Sequence, residues 1–362
     1  MNILIINWQD WLNPLTGGAE VYLYEIFSRM VKKGHRIVML CSRARGQSRQ
    51  EVIDGFEIFR VGRRGNFNFF APLALRALLR HQKIDVIVDD LNKIPFFSPL
   101  YTRKKVYALL MHVFRGTIYR ETNPLAASYV FFTERLIPFF YRNSCFIAIS
   151  NSSASDLNHM GVRNDISVVQ SGIPNIPSQA AIKRIAGLVV YVGRVKRYKS
   201  IDHFVNMIAR LKKNNDVKAM IVGDGDALPD LKSLNRKLGT GIEFTGFVSE
   251  REKFRIYSSA MIVVQPSIKE GWGLTAIEAQ ACGTPVVCAD SPGLNEVVAD
   301  GRTGYLYPYG DIESMSARIK DLLTDHKKWQ DFSSAAKTWS ARFSWDIAAN
   351  KMEKILIQSL SS

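Results

Sequence analysis

Short runs of β-branched residues alternate with helical patterns along the chain, and the alternation breaks once and then restarts. The first series runs through Ile3 to Asn7, Ala19 to Lys33, Arg36 to Cys41, Val86 to Asp89, Val106 to Met111 and Phe146 to Ser150. Strands alternating with helices predict βαβ units on a parallel sheet. The break is Ser171-Gly172-Ile173-Pro174-Asn175-Ile176-Pro177-Ser178, which neither a helix nor a central strand accepts, and the interdomain linker belongs there. The second series places strands at Leu188 to Val192, Lys218 to Val222, Ile242 to Thr245, Met261 to Gln265 and Pro285 to Ala289, separated by helices, with a helical region from Asp311 onward. At 362 residues the chain is longer than one core usually grows. The expected fold class is α/β, with two Rossmann-like doubly wound domains at 1–175 and 176–342 and a terminal segment at 343–362.

Composition narrows the setting. The formal charge of +15 favours a polyanionic partner or an anionic membrane surface and says little about fold. Four cysteines show neither zinc-ligand nor CxxC spacing, which fits a reducing, cytoplasmic location. The apolar run Ile3 to Ile6 is too short for an export signal and reads as a buried strand. No stretch approaches the ~20 apolar residues that span a bilayer. No Ser/His/Asp order, Gx4GK[ST] segment or RNA-recognition motif is present.

In parallel sheets ligands bind beyond the carboxyl ends of the strands, so chemistry is sought in the loops after strands. After the first strand, Gly17-Gly18-Ala19-Glu20 opens a helix whose N–H groups favour an anion, although a bare turn and cap explains the pair more readily on its own. In Val192-Gly193-Arg194-Val195-Lys196-Arg197-Tyr198-Lys199-Ser200, Arg194 and Lys199 bracket a loop entering a helix, a pairing suited to a diphosphate or else to a solvated basic turn. The sharpest feature is Glu270-Gly271-Trp272-Gly273-Leu274-Thr275-Ala276-Ile277-Glu278. Two glycines let backbone N–H groups approach a ligand, and two carboxylates can accept from vicinal hydroxyls. An exposed helix face for Glu278 and a dipole-favoured acid for Glu270 are the plainer readings, but neither accounts for both glycines.

That segment resembles the Glu-x7-Glu motif of the retaining, family 4 glycosyltransferases of the two-domain GT-B fold. The likeness extends over nearly the whole chain through Gly17-Gly18-Ala19-Glu20, Gly193-Arg194 with Lys199, Val222-Gly223-Asp224-Gly225, Phe244-Thr245-Gly246-Phe247-Val248, Cys282-Gly283-Thr284-Pro285 and Asn295-Glu296-Val297-Val298. The resemblance implies two facing domains with a cleft between them and a metal-independent hexosyltransferase that retains anomeric configuration. It implies a UDP- or GDP-linked sugar as donor substrate and no cofactor. It further implies Glu270 at the donor sugar, Glu278 at the ribose, Arg194 and Lys199 at the diphosphate and His112 at the sugar cleft. Gly17, Gly18, Gly223 and Val248, with the Gly271, Trp272, Gly273, Leu274 and Thr275 backbone, would complete the donor site. The terminal segment from Ser344 is expected to cross back onto the first domain.

Val88-Asp89-Asp90 and Asp224-Gly225-Asp226 look like fragments of a metal-binding motif, but the family generally needs no divalent ion, and no metal site is expected. For the acceptor, the aromatic stretch Leu125 to Arg142 behind Arg103-Lys104-Lys105 suits a glycan or polyprenyl-linked substrate of polysaccharide or glycolipid synthesis at an anionic inner membrane face. The same stretch carries a buried-helix pattern and reads first as a core helix under a basic surface. A nucleotide-sugar 2-epimerase of the same fold and a non-catalytic lipid- or polyanion-binding scaffold are the competing functions.

Overall fold

The computed structural model describes residues 1–92, 94–120, 122–174, 176, 182–213 and 216–358. The chain divides into two units, 1–172 with 345 onward, and 173–344. Asn175, Pro177 and Ser178 of the expected linker, and much of the expected hinge near 173–180, lie outside the described residues.

The first unit begins β1 (Asn2–Ile6), α1 (Gly18–Lys32), β2 (Arg36–Cys41), β3 (Gln50–Ile53), β4 (Phe56–Arg60), α2 (Phe67–His81) and β5 (Val86–Asp90). It continues with β6 (Lys105–Leu110), α3 (Pro124–Arg135), α4 (Ile137–Phe140), β7 (Cys145–Ala148), α5 (Asn151–His159) and β8 (Ile166–Val168). The strand order is β3-β4-β2-β1-β5-β6-β7-β8, parallel throughout except for the β3–β4 hairpin. Strands β1 and β5 are almost wholly buried, as expected where helices cover both faces of a parallel sheet. The hairpin is an element that period and composition did not predict. Its turn is Asp54-Gly55, with φ of 51° and 82°, the geometry a two-residue hairpin needs to match strand twist.

The second unit is β9 (Leu188–Val192), α6 (Ile201–Leu211), β10 (Lys218–Val222), α7 (Leu228–Leu238), β11 (Glu243–Gly246), α8 (Glu250–Ser259), β12 (Ile262–Gln265), α9 (Leu274–Ala281), β13 (Val286–Asp290), β14 (Gly304–Pro308), α10 (Ile312–Thr324) and α11 (His326–Ser340). Its sheet is parallel with order β11-β10-β9-β12-β13-β14. The order in which strands are added therefore reverses once in each sheet, at β1/β5 in the first unit and at β9/β12 in the second. These are the crevices where loops from neighbouring strands run opposite ways.

The chain from Trp345 forms α12 (Trp345–Gln358), which packs in the first unit against α1. Trp345 meets Tyr22 edge-on with ring centres 6.0 Å apart, and Arg29 Nε donates to Asp346 Oδ1 at 2.6 Å.

The expectation of a core helix over the Leu125 stretch is overturned. Leu125, Tyr129, Phe132, Leu136 and Phe139 recur at helical spacing but point outward, 43% to 86% exposed, while Ala127 and Val130 face inward against Ile118. A period of 3.6 marks an apolar stripe and does not say which way it faces.

Candidate functional site in the second unit and its companions in the first

At the β9/β12 crevice the two strands share only the pairs Ile262–Val189 and Val263–Val190. Beyond them the Gln265 side-chain amide donates to the Val192 carbonyl at 2.8 Å, so the strands stay tied while their loops diverge. One loop carries Arg194 and Lys199, the other Glu270 to Gly273. The structure brings Lys199 and Glu270 together as an ion pair, with side chains 12% and 14% exposed. Burial alone would lower the Lys199 ammonium, but the Glu270 carboxylate raises it above the ordinary lysine value, against the opposing charge of Arg194. Arg194 itself is exposed.

Both loops are braced by backbone. Gly193 N–H donates to Val222, Gly223 N–H to Gly246 and Val195 N–H to Asp224, linking the loops after β9, β10 and β11. Gly223 has φ of 131°, and a Cβ there would lie 1.9 Å from the Gly193 carbonyl oxygen, so only glycine permits this approach. Glu270 N–H donates to the Pro292 carbonyl at 2.9 Å, and Gly293 lies flat against the Glu270 carbonyl. Gly271 precedes Trp272, whose ring turns inward, 3% exposed, and meets Phe343 edge-on at 5.3 Å. Hence Trp272 contributes backbone rather than side chain to the loop surface. Gly273, at φ 72°, caps α9 in the left-handed region, and half-buried Leu274 and Thr275 form its first turn.

Glu278 lies on α9 and is 3% exposed, which rules out the exposed-face reading. Its Oε1 accepts from Lys253 Nζ at 3.0 Å and its Oε2 from the Tyr257 hydroxyl at 3.1 Å, both donors on α8. Desolvation raises this carboxyl above its usual range, with Lys253 opposing. Val248 stands just before α8 and lines a cavity of about 480 Å³ with Thr245, Glu252, Arg255 and Ile256. None of the other expected site residues lines that cavity, so its size does not mark the chemistry.

In the first unit, the loop after β1 is anchored by a fully buried Asp10–Arg60 ion pair. It ends at Gly17, whose N–H donates to Glu20 Oε2 at 2.7 Å and so is not free for an anion, contrary to the expectation for this glycine. A Cβ on Gly18 would meet no atom beyond its chain neighbours and its own helix backbone within 4 Å, so packing against the rest of the protein does not demand glycine there. Across the same crevice Asp90, fully buried at the end of β5, has its carboxyl raised well above the usual range by desolvation and by the Glu20 and Asp89 charges. His112 follows β6, half-buried, its ring edge-on to Phe114 at 4.5 Å.

Sequence reasoning passed over Lys253 and Tyr257. Their i, i+4 spacing places both on one helix face, a signal that a buried acid on a neighbouring helix would have made readable.

Two family models match the chain in succession: Glycosyltransferase Family 4 over residues 16–175 and Glycosyl transferases group 1 over 173–339. The chain belongs to the group 1, family 4 glycosyltransferases. A D-inositol 3-phosphate glycosyltransferase of Mycobacteroides abscessus is 37% identical over 221 residues, 57% of this chain and 47% of that protein. The chain thus spans about half the length of that curated relative. Among solved structures, sucrose-phosphate synthase from Thermosynechococcus elongatus superposes with a TM-score of 0.82 at 19% identity, covering 99% of both chains. The Anabaena protein HepE, solved with UDP and glucose, gives a TM-score of 0.79 at 19% identity over 99% of this chain and 100% of its own. At such identity these two likenesses speak to the fold, that of the GT-B glycosyltransferases with two Rossmann-like domains.

Proposed function

We propose that the chain is a metal-independent, retaining hexosyltransferase that moves a sugar from a UDP- or GDP-linked donor to a glycan or lipid-linked acceptor. The observation that carries this reading is the Lys199–Glu270 pair at the β9/β12 crevice, beside Arg194 and the Gly273-capped start of α9. A departing nucleoside diphosphate carries concentrated negative charge, and preorganised cations with helix-start N–H groups stabilise it without reorganisation. In this reading Arg194 and Lys199 take the diphosphate, and Glu270 exchanges part of its hold on Lys199 for donor-sugar hydroxyls. Glu278 uses the lone pairs that Lys253 and Tyr257 leave for the ribose. Gly223, Val248 and the Gly271 to Thr275 backbone shape the base, sugar and phosphate contacts. Gly18, with open space above it, approaches the donor, while His112 serves the sugar. With retention, the acceptor oxygen attacks on the face from which the diphosphate leaves.

The test is a thermal-shift panel of UDP- and GDP-sugars, followed by nucleoside diphosphate release with and without lipid extract. One donor at ~100 times its Kd should stabilise the protein by about 2.7 kcal/mol, and release should depend on the extract. No stabilisation by any donor, or product epimerised without transfer, would sink the proposal.

For the acceptor, the outward stripe on α3 and α4 supports a bilayer surface. Phe69, Phe70 and Leu73 of α2 are also exposed, and Asn68 joins the two patches by donating to the Tyr129 hydroxyl at 3.1 Å. Arg135 lies over Phe131 and Arg142 over Phe139, so guanidinium groups stand among the apolar rings. An apolar patch studded with arginine matches an anionic interface. Phe132→Ser with Phe139→Ser should cut co-sedimentation with phosphatidylglycerol vesicles at least tenfold. Wild-type binding that ignores anionic lipid content would remove the membrane reading.

A further inference from the structure

The loop that carries His112 is held from two sides. Ser153 Oγ on α5 donates to the Met111 carbonyl at 2.9 Å, and Met111 and Val113 are both buried. Beyond them, Phe114 N–H donates to Glu134 Oε1 at 2.7 Å and Arg115 N–H donates to Glu134 Oε2 at 2.9 Å. Two consecutive backbone amides thus converge on the two oxygens of one carboxylate, which lies on α3 and is 4% exposed. Arg115 has φ of 47°, a left-handed conformation that costs a side-chain-bearing residue energy and persists only where its surroundings enforce it. The Arg115 side chain is drawn to α5 as well, donating to the Asp156 carbonyl at 3.2 Å.

We infer that Glu134 is a positioning residue for His112. Charge-assisted bonds to adjacent amides are roughly twice as strong as neutral ones, enough to hold a bend the backbone would otherwise relax. The bend seats Phe114 edge-on against the imidazole, so the carboxylate sets where the ring stands without being within the pair itself. Glutamine in this place keeps the shape but turns one oxygen into an NH2 donor facing an N–H. The inference rests on the reading that His112 serves sugar transfer.

The experiment compares Glu134→Gln, His112→Ala and the double variant, using whichever of UDP-glucose and GDP-mannose raises the melting temperature, with lipid extract as acceptor. Retained donor binding by calorimetry confirms that each variant is folded. A displacement near 1 Å can cost ~10²-fold in rate, so Glu134→Gln should lower kcat by that order with donor KM little changed. Hydrogen exchange across residues 112–116 should quicken. In the His112→Ala background the same substitution should cost little more, because its effect passes through the imidazole. Normal turnover or unchanged exchange in Glu134→Gln beside a slow His112→Ala, or fully additive losses in the double variant, overturns the inference alone. Normal turnover by His112→Ala overturns the transfer role of His112 and the inference with it.

Discussion

Arg194→Ala slows transfer by about 10²–10³-fold, the loss that follows removal of one preorganised donor from a developing anion. Arg194 is exposed, and surface substitutions usually stay within about 0.5 kcal/mol, so the melting temperature should hardly move. That separation makes it the cleaner test of the diphosphate site. Lys199→Ala should cost a similar factor in rate, and it also strands Glu270, which is only 14% exposed, so some stability is lost with it. The Lys199 ammonium is raised in the folded state, so the pair's contribution is fully present below the ordinary lysine value and disappears as pH rises through the folded one. Single-turnover rates with the identified donor, alongside thermal melts, provide the check. Near-normal turnover in both variants would remove the diphosphate assignment.

Lys253→Met should destabilise the second unit by about 3–5 kcal/mol near neutral pH, since removing one partner of a buried ion pair leaves the other charge uncompensated. Glu278 would keep only the Tyr257 hydroxyl. Its carboxyl is already raised by burial despite Lys253, and loss of the ammonium raises it further. A raised carboxyl binds its proton more tightly folded than unfolded, so stability falls as pH climbs from the unfolded carboxyl value towards the folded one. The penalty of Lys253→Met therefore shrinks on acidification. Urea melts at pH 5 and pH 7.5 measure it, and Lys253→Met with Glu278→Gln should recover most of the loss. A penalty independent of pH would show that the pair is not what holds α8 on α9.

Much of the second unit was readable because its signals are local. The runs at Leu188 and Ile262 are buried strands whatever their neighbours, and the run from Lys218 buries Ala219, Ile221 and Val222, while the glycines at 223 and 273 serve backbone conformations that few other residues adopt. The Asp54-Gly55 hairpin had an equally local signal but lies at a sheet edge, where short strands lack a long apolar run. The direction of the Leu125 stripe and the inward turn of Trp272 were not readable. Each depends on what packs opposite, and that partner comes from elsewhere in the chain.

The sequence by itself determined the alternation of strands and helices, the break between two series, and the order of motifs that places the chain in its family. Period, glycine placement and residue type act over a few neighbours, so they survive without the fold. Only the tertiary structure decided that Lys199 and Glu270, 71 positions apart, form one ion pair. It also decided that Lys253 and Tyr257 hold Glu278, and that Glu134 grips the loop after His112. Those pairings follow from where the strand order reverses and which helix faces meet, and burial makes each one matter because an unpartnered charge there is costly.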